Sequence, residues 1–258
     1  MAILYKRAFN KKWLGQPASA QNVIPAAAGL VLTTPARLFS LRMLNRGAQM
    51  AMAVVALLKD SAWEAGQWVN ATTTYTPDTV DAQDAGTNDF AMETLTAQDG
   101  MLIGADVPFG AISLDVTTAG VGNTTHVIEY WNGAWTAIAA TGLFVDIKRA
   151  AVWALGEELV LFDPPADWIV GGSGTGVSAT RYNLRIRCTT VAAGTAALAR
   201  RIYVGAVLSS ESALATEGSA LRESFPEWVN FSTTNYAAIG LAAATLDELH
   251  ALEIVYQP

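Results

Sequence analysis

His126-Val-Ile-Glu-Tyr-Trp-Asn-Gly-Ala-Trp135 decides the fold, together with Asp163-Pro-Pro-Ala-Asp-Trp168 and Arg181-Tyr-Asn-Leu-Arg-Ile-Arg187. In the first stretch an alternating segment meets Asn132-Gly133, and a second one, Ala134 to Ala139, follows. Asn-Gly tolerates positive φ at both central positions, which a two-residue type I′ turn requires, so the spacing predicts a β-hairpin. In the third stretch Tyr182, Leu184, Ile186 and Cys188 fall on one face. Asn183, Arg185, Arg187 and Thr189 fall on the other, the pattern of a half-buried strand. From Ala91 to about Val204, short strands punctuated by Gly, Pro and Asn keep the cadence of a sandwich or jelly roll. The expectation is an all-β, jelly-roll-like antiparallel β-sandwich. Such folds serve more often as binding or structural modules than as catalysts.

The same residues carry a resemblance. "EYWNGAWTAIA", a turn, "FDPPADW" and "YNLRIR" resemble a jelly-roll module that recurs in structural proteins of tailed bacteriophages and prophages. The likeness extends upstream through Thr72-Thr-Thr-Tyr-Thr-Pro-Asp-Thr79, Asp84-Ala-Gly-Thr-Asn-Asp-Phe90 and Leu102 to Leu114, covering residues 62–205. Residues 146–156 depart from the Gly/Thr-rich turn of the pattern. A second likeness, between Asn22 and Leu58, lies in "RLFSLRMLNRGAQMAMAVVALL", which is similar to a short β-unit of virion proteins. Both patterns imply a virion component more strongly than they imply which one.

Composition points the same way. Of the 258 residues, 52% are apolar and 15% charged, against a charged share of about a quarter in soluble domains. A chain so poor in charge hides much of its surface against partners, which favours an assembly subunit, a homo-oligomer, over a free monomer. The single cysteine, Cys188, excludes an internal disulfide and reads as a buried structural thiol. Three Asn-x-Ser/Thr sequons (Asn70, Asn123, Asn230) read as chance matches in a Thr-rich chain. The longest apolar run, Ala48 to Leu58, is about half the ~20 residues a membrane-crossing helix needs, so no membrane span is expected.

Charge divides unevenly. Residues 1–59 hold eight Lys/Arg and no acid, and the remainder holds the other eight and all 23 acids, a split of +8 against −15. Residues 1–21 read as a basic arm that docks on a protein partner through Lys6, Arg7, Lys11, Lys12 and Trp13. Nucleic acid is the weaker alternative, since a dedicated binder shows a denser basic face. Residues 22–59 read as a small β-unit, with Asn45-Arg46-Gly47 as a hairpin loop, completed by residues 206–258. Residues 60–205 then form the inserted jelly roll, opening with a polar connector (60–90) in which Thr72 to Tyr75 is a short strand. In the C-terminal part Ser209 to Arg222 reads as a loop or helical turn. Thr245 with Glu248 has capping-box spacing for a short helix, and an apolar strand ends the chain.

Chemistry is sparse. His126 shares a strand face with Ile128 and Tyr130, and His250 sits beside Asp247 and Glu248. Packed and solvated side chains, respectively, account for them more simply than a general base does. No Gly-x-Ser-x-Gly elbow is present, so no enzyme is expected. Asp78 to Asp89 is rich in oxygen ligands, but its spacing fails the EF-hand order and a solvated turn suffices. One Cys and two scattered His argue against zinc. Gly171-Gly-Ser-Gly-Thr-Gly176 lacks the Lys-Ser/Thr of a phosphate loop and reads as a flexible connection. No cofactor is implied. Trp131 and Trp135 flank the hairpin and would offer a stacking platform for a glycan. The simpler account gives the eight tryptophans to the core. The combined expectation is a noncatalytic structural subunit in the virion. It would be a capsid decoration or head-fibre protein seated on the major capsid protein, with a tail or baseplate role fitting the same residues.

Overall fold

Gly100-Met-Leu-Ile-Gly-Ala105 contains no charged side chain, and all six of its residues are buried. A strand with both faces covered has this composition, and around it the sheets assemble. The computed structural model describes residues 58–207 with their side chains, except 85, 87–88, 123–124, 139–152, 154, 156–157, 159 and 161. Elsewhere it describes the backbone of the strands named below. The chain divides into two compact units, Lys59–Ala206, and Met1–Leu58 with Val207–Pro258. The limits expected from the sequence, 60–205, lie one residue inward at each end.

In the discontinuous unit the N-terminal strands are β1 (Lys6–Asn10), β2 (Gln21–Asn22), β3 (Ala36–Asn45) and β4 (Met50–Leu57). The inserted unit supplies β5 (Trp63–Val69), β6 (Thr74–Pro77), a five-residue helix α1 (Thr79–Gln83), β7 (Phe90–Ala91), β8 (Gly100–Ala105), β9 (Ala111–Thr118), β10 (Thr125–Trp131), β11 (Trp135–Ala137), β12 (Leu143–Val145), β13 (Gly156–Phe162) and β14 (Tyr182–Thr190). β15 (Leu198–Ala215) follows, and then β16 (Ala220–Phe231), β17 (Ala237–Ala243) and β18 (Leu249–Gln257).

The inserted unit is an antiparallel β-sandwich. One sheet has the order β11-β10-β14-β8-β5-β6; in the other β12-β13-β9-β15 are neighbours and β7 pairs β15. Setting aside the flanking β5, β6 and β12, the two sheets read β8-β14-β10-β11 and β7-β15-β9-β13. From β7 to β10, and again from β13 to β15, each strand lies in the opposite sheet from its predecessor. Neighbours within a sheet are therefore mostly distant in sequence, the winding of a jelly roll. Trp168 ties the layers together: its indole lies 6.3 Å from the Phe162 ring of one sheet and 6.1 and 6.0 Å from Tyr130 and Tyr182 of the other. Burying aromatics of this size supplies much of the stabilisation, at roughly 25 cal/mol per Å² of apolar surface.

Several expectations need correction. The polar connector 60–90 contains β5, a full strand of the larger sheet in which Trp63, Ala65 and Trp68 are buried. Thr72–Tyr75 is displaced two residues, to β6. The acidic stretch opens with the helix α1 where a turn was expected, while the expected bonding of an Asx side chain to nearby backbone is present at Asp84, whose Oδ1 accepts from Gly86 N–H at 2.9 Å. β14 is not half-buried: Asn183 and Arg185 on its polar face are 0% and 8% exposed. Trp68, Tyr75 and Leu102, with Trp135 and Val177 against them, make a second apolar layer outside the larger sheet.

In the discontinuous unit β1-β18-β3-β16 form one sheet, and β17 pairs both β4 and β2. Residues 6–10 are thus a strand in register with Leu252–Tyr256, not part of a periodless arm. β3 and β4 enter different sheets, so Asn45-Arg46-Gly47 does not join a hairpin. Ser209–Ala215 and Ala220–Arg222 are strand, where a loop or helical turn was expected. At the C-terminus the strand prevails from Leu249 onward, pairing Asn45 to Arg37 of β3. The Thr245–Glu248 cap lies outside the described residues.

Candidate functional site

The β10–β11 hairpin and the glycine-rich loop opposite it form the most elaborated surface of the jelly roll. Trp131 and Trp135 are cross-strand partners. Three residues, Asn132-Gly133-Ala134, connect them, with Gly133 at φ +103° and Asn132 N–H donating to Ala134 O at 3.2 Å. The hairpin is as expected, but its loop is one residue longer than a type I′ turn and Asn132 keeps an ordinary φ. The Asn132 side chain is held in this loop: its Nδ2 donates to Asp167 Oδ2 at 2.9 Å and its Oδ1 accepts from Thr136 Oγ1 at 3.0 Å. Tyr130 Oη donates to the other oxygen of Asp167 at 2.9 Å. The Asp163–Trp168 segment is thereby bolted to the hairpin. The two hydrogen bonds also hold the Asp167 carboxyl below the usual aspartate range.

Beneath the hairpin the outer face of the larger sheet carries a row of cross-strand partners, Glu129, Arg185 and Leu102. Arg185 packs against two indoles that also touch each other, its guanidinium carbon 4.4 Å from the Trp135 ring centre and 4.9 Å from that of Trp68, with the two ring centres 6.0 Å apart. Its Nε donates to Glu129 Oε2 at 2.6 Å, and Arg187 donates Nε and Nη2 to the two oxygens of the same carboxylate at 2.7 Å. Burial pushes the Glu129 pKa up, but the bonds from Arg187 and Arg185 outweigh it and hold the carboxyl below its usual range. Arg187 also donates to Gln98, and Asn183 Nδ2 holds the carbonyls of Gly171 and Ser178 at 2.9 and 2.8 Å.

The glycine-rich loop is anchored, contrary to the flexible connection expected. Thr175 N–H donates to Thr73 O and Tyr75 N–H to Thr175 O, both at 2.8 Å, and Trp135 Nε1–H reaches Ser173 O at 3.3 Å. At Gly174 (φ +131°) a Cβ would lie 2.7 Å from the Trp68 ring and 2.8 Å from Thr73 O, so glycine is what lets the loop seat on the indole.

Of the tryptophans with described side chains, Trp63, Trp68, Trp153 and Trp168 are buried, whereas Trp131 and Trp135 are half-buried. Those two meet edge to face, centroids 5.4 Å apart with planes at 69°. Their faces do not line up into one flat platform. Of the basic docking residues, Lys6 and Arg7 lie in β1; Lys11, Lys12 and Trp13 fall outside the described residues. A third grouping has no counterpart in the sequence motifs: Glu93, His126 and Cys188 converge inside the sandwich, the imidazole Nε2 3.0 Å from Glu93 Oε2. Because Cys188 is wholly buried, its thiol is out of reach of a substrate, and burial raises its pKa. His126 is buried and packs edge-on against Trp153. Among the described residues no helix is long and apolar enough to cross a membrane.

No protein-family model matches the chain, and comparison with curated proteins and with solved structures gives no match either.

Proposed function

We propose that this chain is a noncatalytic structural subunit of a tailed-phage particle, a capsid decoration or head-fibre protein that works as a homo-oligomer. Its N-terminal region seats on the major capsid protein, and its jelly roll projects. The observation that carries the reading is the use made of polar groups around the hairpin. Glu129, Arg185, Arg187, Asn132 and Asp167 are tied to one another, and they stiffen a loop-bearing end of the sandwich. Rigid sheets of this kind bind neighbours by buried area, and repetition on a lattice adds avidity. The resemblance of residues 62–205 to phage jelly-roll modules supports the same assignment, and a tail or baseplate position would use the same architecture.

The test is electron microscopy of particles assembled with a gold-labelled copy. Label on the shell is expected, and its loss is expected when Lys6, Arg7, Lys11 and Lys12 are all changed to Glu. Particles without label sink the virion assignment, and unchanged occupancy by the charge-reversed chain sinks the docking role of those residues. Glycan recognition is the second reading, favoured by the half-exposed Trp131–Trp135 pair. Saccharide-dependent tryptophan fluorescence that disappears in Trp131→Ala would establish it.

A further inference from the structure

We propose that Glu93, His126 and Cys188 form a binding site for a thiophilic divalent cation, zinc by its chemistry. The three donors come from separate parts of the jelly roll. His126 on β10 and Cys188 on β14 are cross-strand partners, which places both on the face turned into the sandwich. Glu93 follows β7 and is brought over by two contacts with the segment before β15: Met92 N–H donates to Ala197 O, and Ala197 N–H donates to Glu93 Oε1, both at 3.1 Å. One ligand atom from each residue, an imidazole nitrogen, a carboxylate oxygen and Sγ, then lies within 4.8 Å of the other two.

The donor set selects the ion. Magnesium and calcium take oxygen ligands, whereas one sulfur, one nitrogen and one carboxylate oxygen suit zinc and its tetrahedral relatives. Burial selects it again: the three residues are 2, 3 and 0% exposed. A buried thiolate and carboxylate together carry two negative charges, which a dication neutralises in place, whereas either charge alone is costly to bury. On binding, the Cys188 thiol proton passes to solvent as the sulfur–metal bond forms, and a neutral imidazole and an ionised Glu93 supply the other two bonds. The Ala197 N–H on the second Glu93 oxygen is the outer hydrogen bond that orients a ligating carboxylate. The Thr190 carbonyl, 3.1 Å from Sγ, or a water completes the coordination. Because the trio is sealed inside the sandwich, the ion enters as the chain folds.

The experiment is refolding of the full chain with Co2+ as the probe, against a control refolded with chelator. Expected are a near-ultraviolet thiolate-to-cobalt charge-transfer band, visible bands of tetrahedral type, and stoichiometric retention of cobalt through desalting. A melting temperature raised by Zn2+ and not by Mg2+ should accompany them. Cys188 is the single cysteine, so the charge-transfer band identifies it even if Cys188→Ser fails to fold. Where His126→Gln folds, it should lose retained cobalt by at least tenfold. Absence of the thiolate band in the refolded wild type, or cobalt retention by His126→Gln equal to wild type, overturns the proposal.

Discussion

Arg185 is accommodated at 8% exposure because its partners replace the water it has lost: one carboxylate oxygen on Nε and two neighbouring indoles packed against the guanidinium. Lysine could not make this arrangement, since it lacks the planar group that stacks and donates in one plane. Glu129 is the centre of the cluster, and removing one partner of a buried pair typically costs ~3–5 kcal/mol. Glu129→Gln should therefore lose stability of that order near neutral pH. The sign of the pH dependence follows from the lowered folded-state pKa. The contribution of Glu129 is complete above the ordinary glutamate range and drains away as pH falls through the folded value. Urea unfolding of wild type and Glu129→Gln at a series of pH values checks this. The gap between them should close on acidification, and a gap independent of pH would show that the charge is not what stabilises.

Among the elements, what was legible in the sequence was local and what was hidden was distant. The β10–β11 hairpin is announced by Asn-Gly, but nothing near it discloses Asp167, 35 positions away, whose carboxylate accepts from the Asn132 side chain. The alternation in β14 is real, yet nothing in residues 182–190 discloses that Trp68, Trp135 and the glycine-rich loop cover the polar face. Glu93 reaches His126 across 33 positions with no motif to mark it, and β7, two residues long, is too short to leave a period. β5 carries no clear period because its apolar positions are diluted by Glu64, Gly66 and Gln67. The loop that covers β14 gives a prediction at this scale. Gly174→Ala places a methyl against Trp68 and forces a left-handed backbone on alanine, which should cost ~1–3 kcal/mol. Red-shifted tryptophan emission and faster amide exchange at Thr175 and Tyr75 are the expected readouts. An unchanged melting temperature would mean that the loop contributes nothing to the fold.

At the scale of the molecule, the jelly roll keeps its aromatic core, and the pairing of β15 with β9 through Gly205, within Lys59–Ala206. A unit with its own core can fold alone. The excised 59–206 fragment should accordingly give a β-type circular-dichroism spectrum and a cooperative melt, and a non-cooperative one would contradict that independence. Its winding joins strands remote in sequence, and β7 meets β15 only after most of the unit has been made, so folding should be slow for its size. The surrounding unit faces a different difficulty. β1 pairs β18, β3 pairs β18 and β16, and β2 pairs β17, all of these partners lying beyond residue 219. During translation at ~5–20 residues per second, these early strands wait about ten to fifty seconds for partners not yet synthesised. Until then their edges are open to any extended segment nearby, including the same strands on the next chain of a polysome. Yield in a host cell should therefore hinge on chaperone supply and elongation speed more than on the final depth of the energy well.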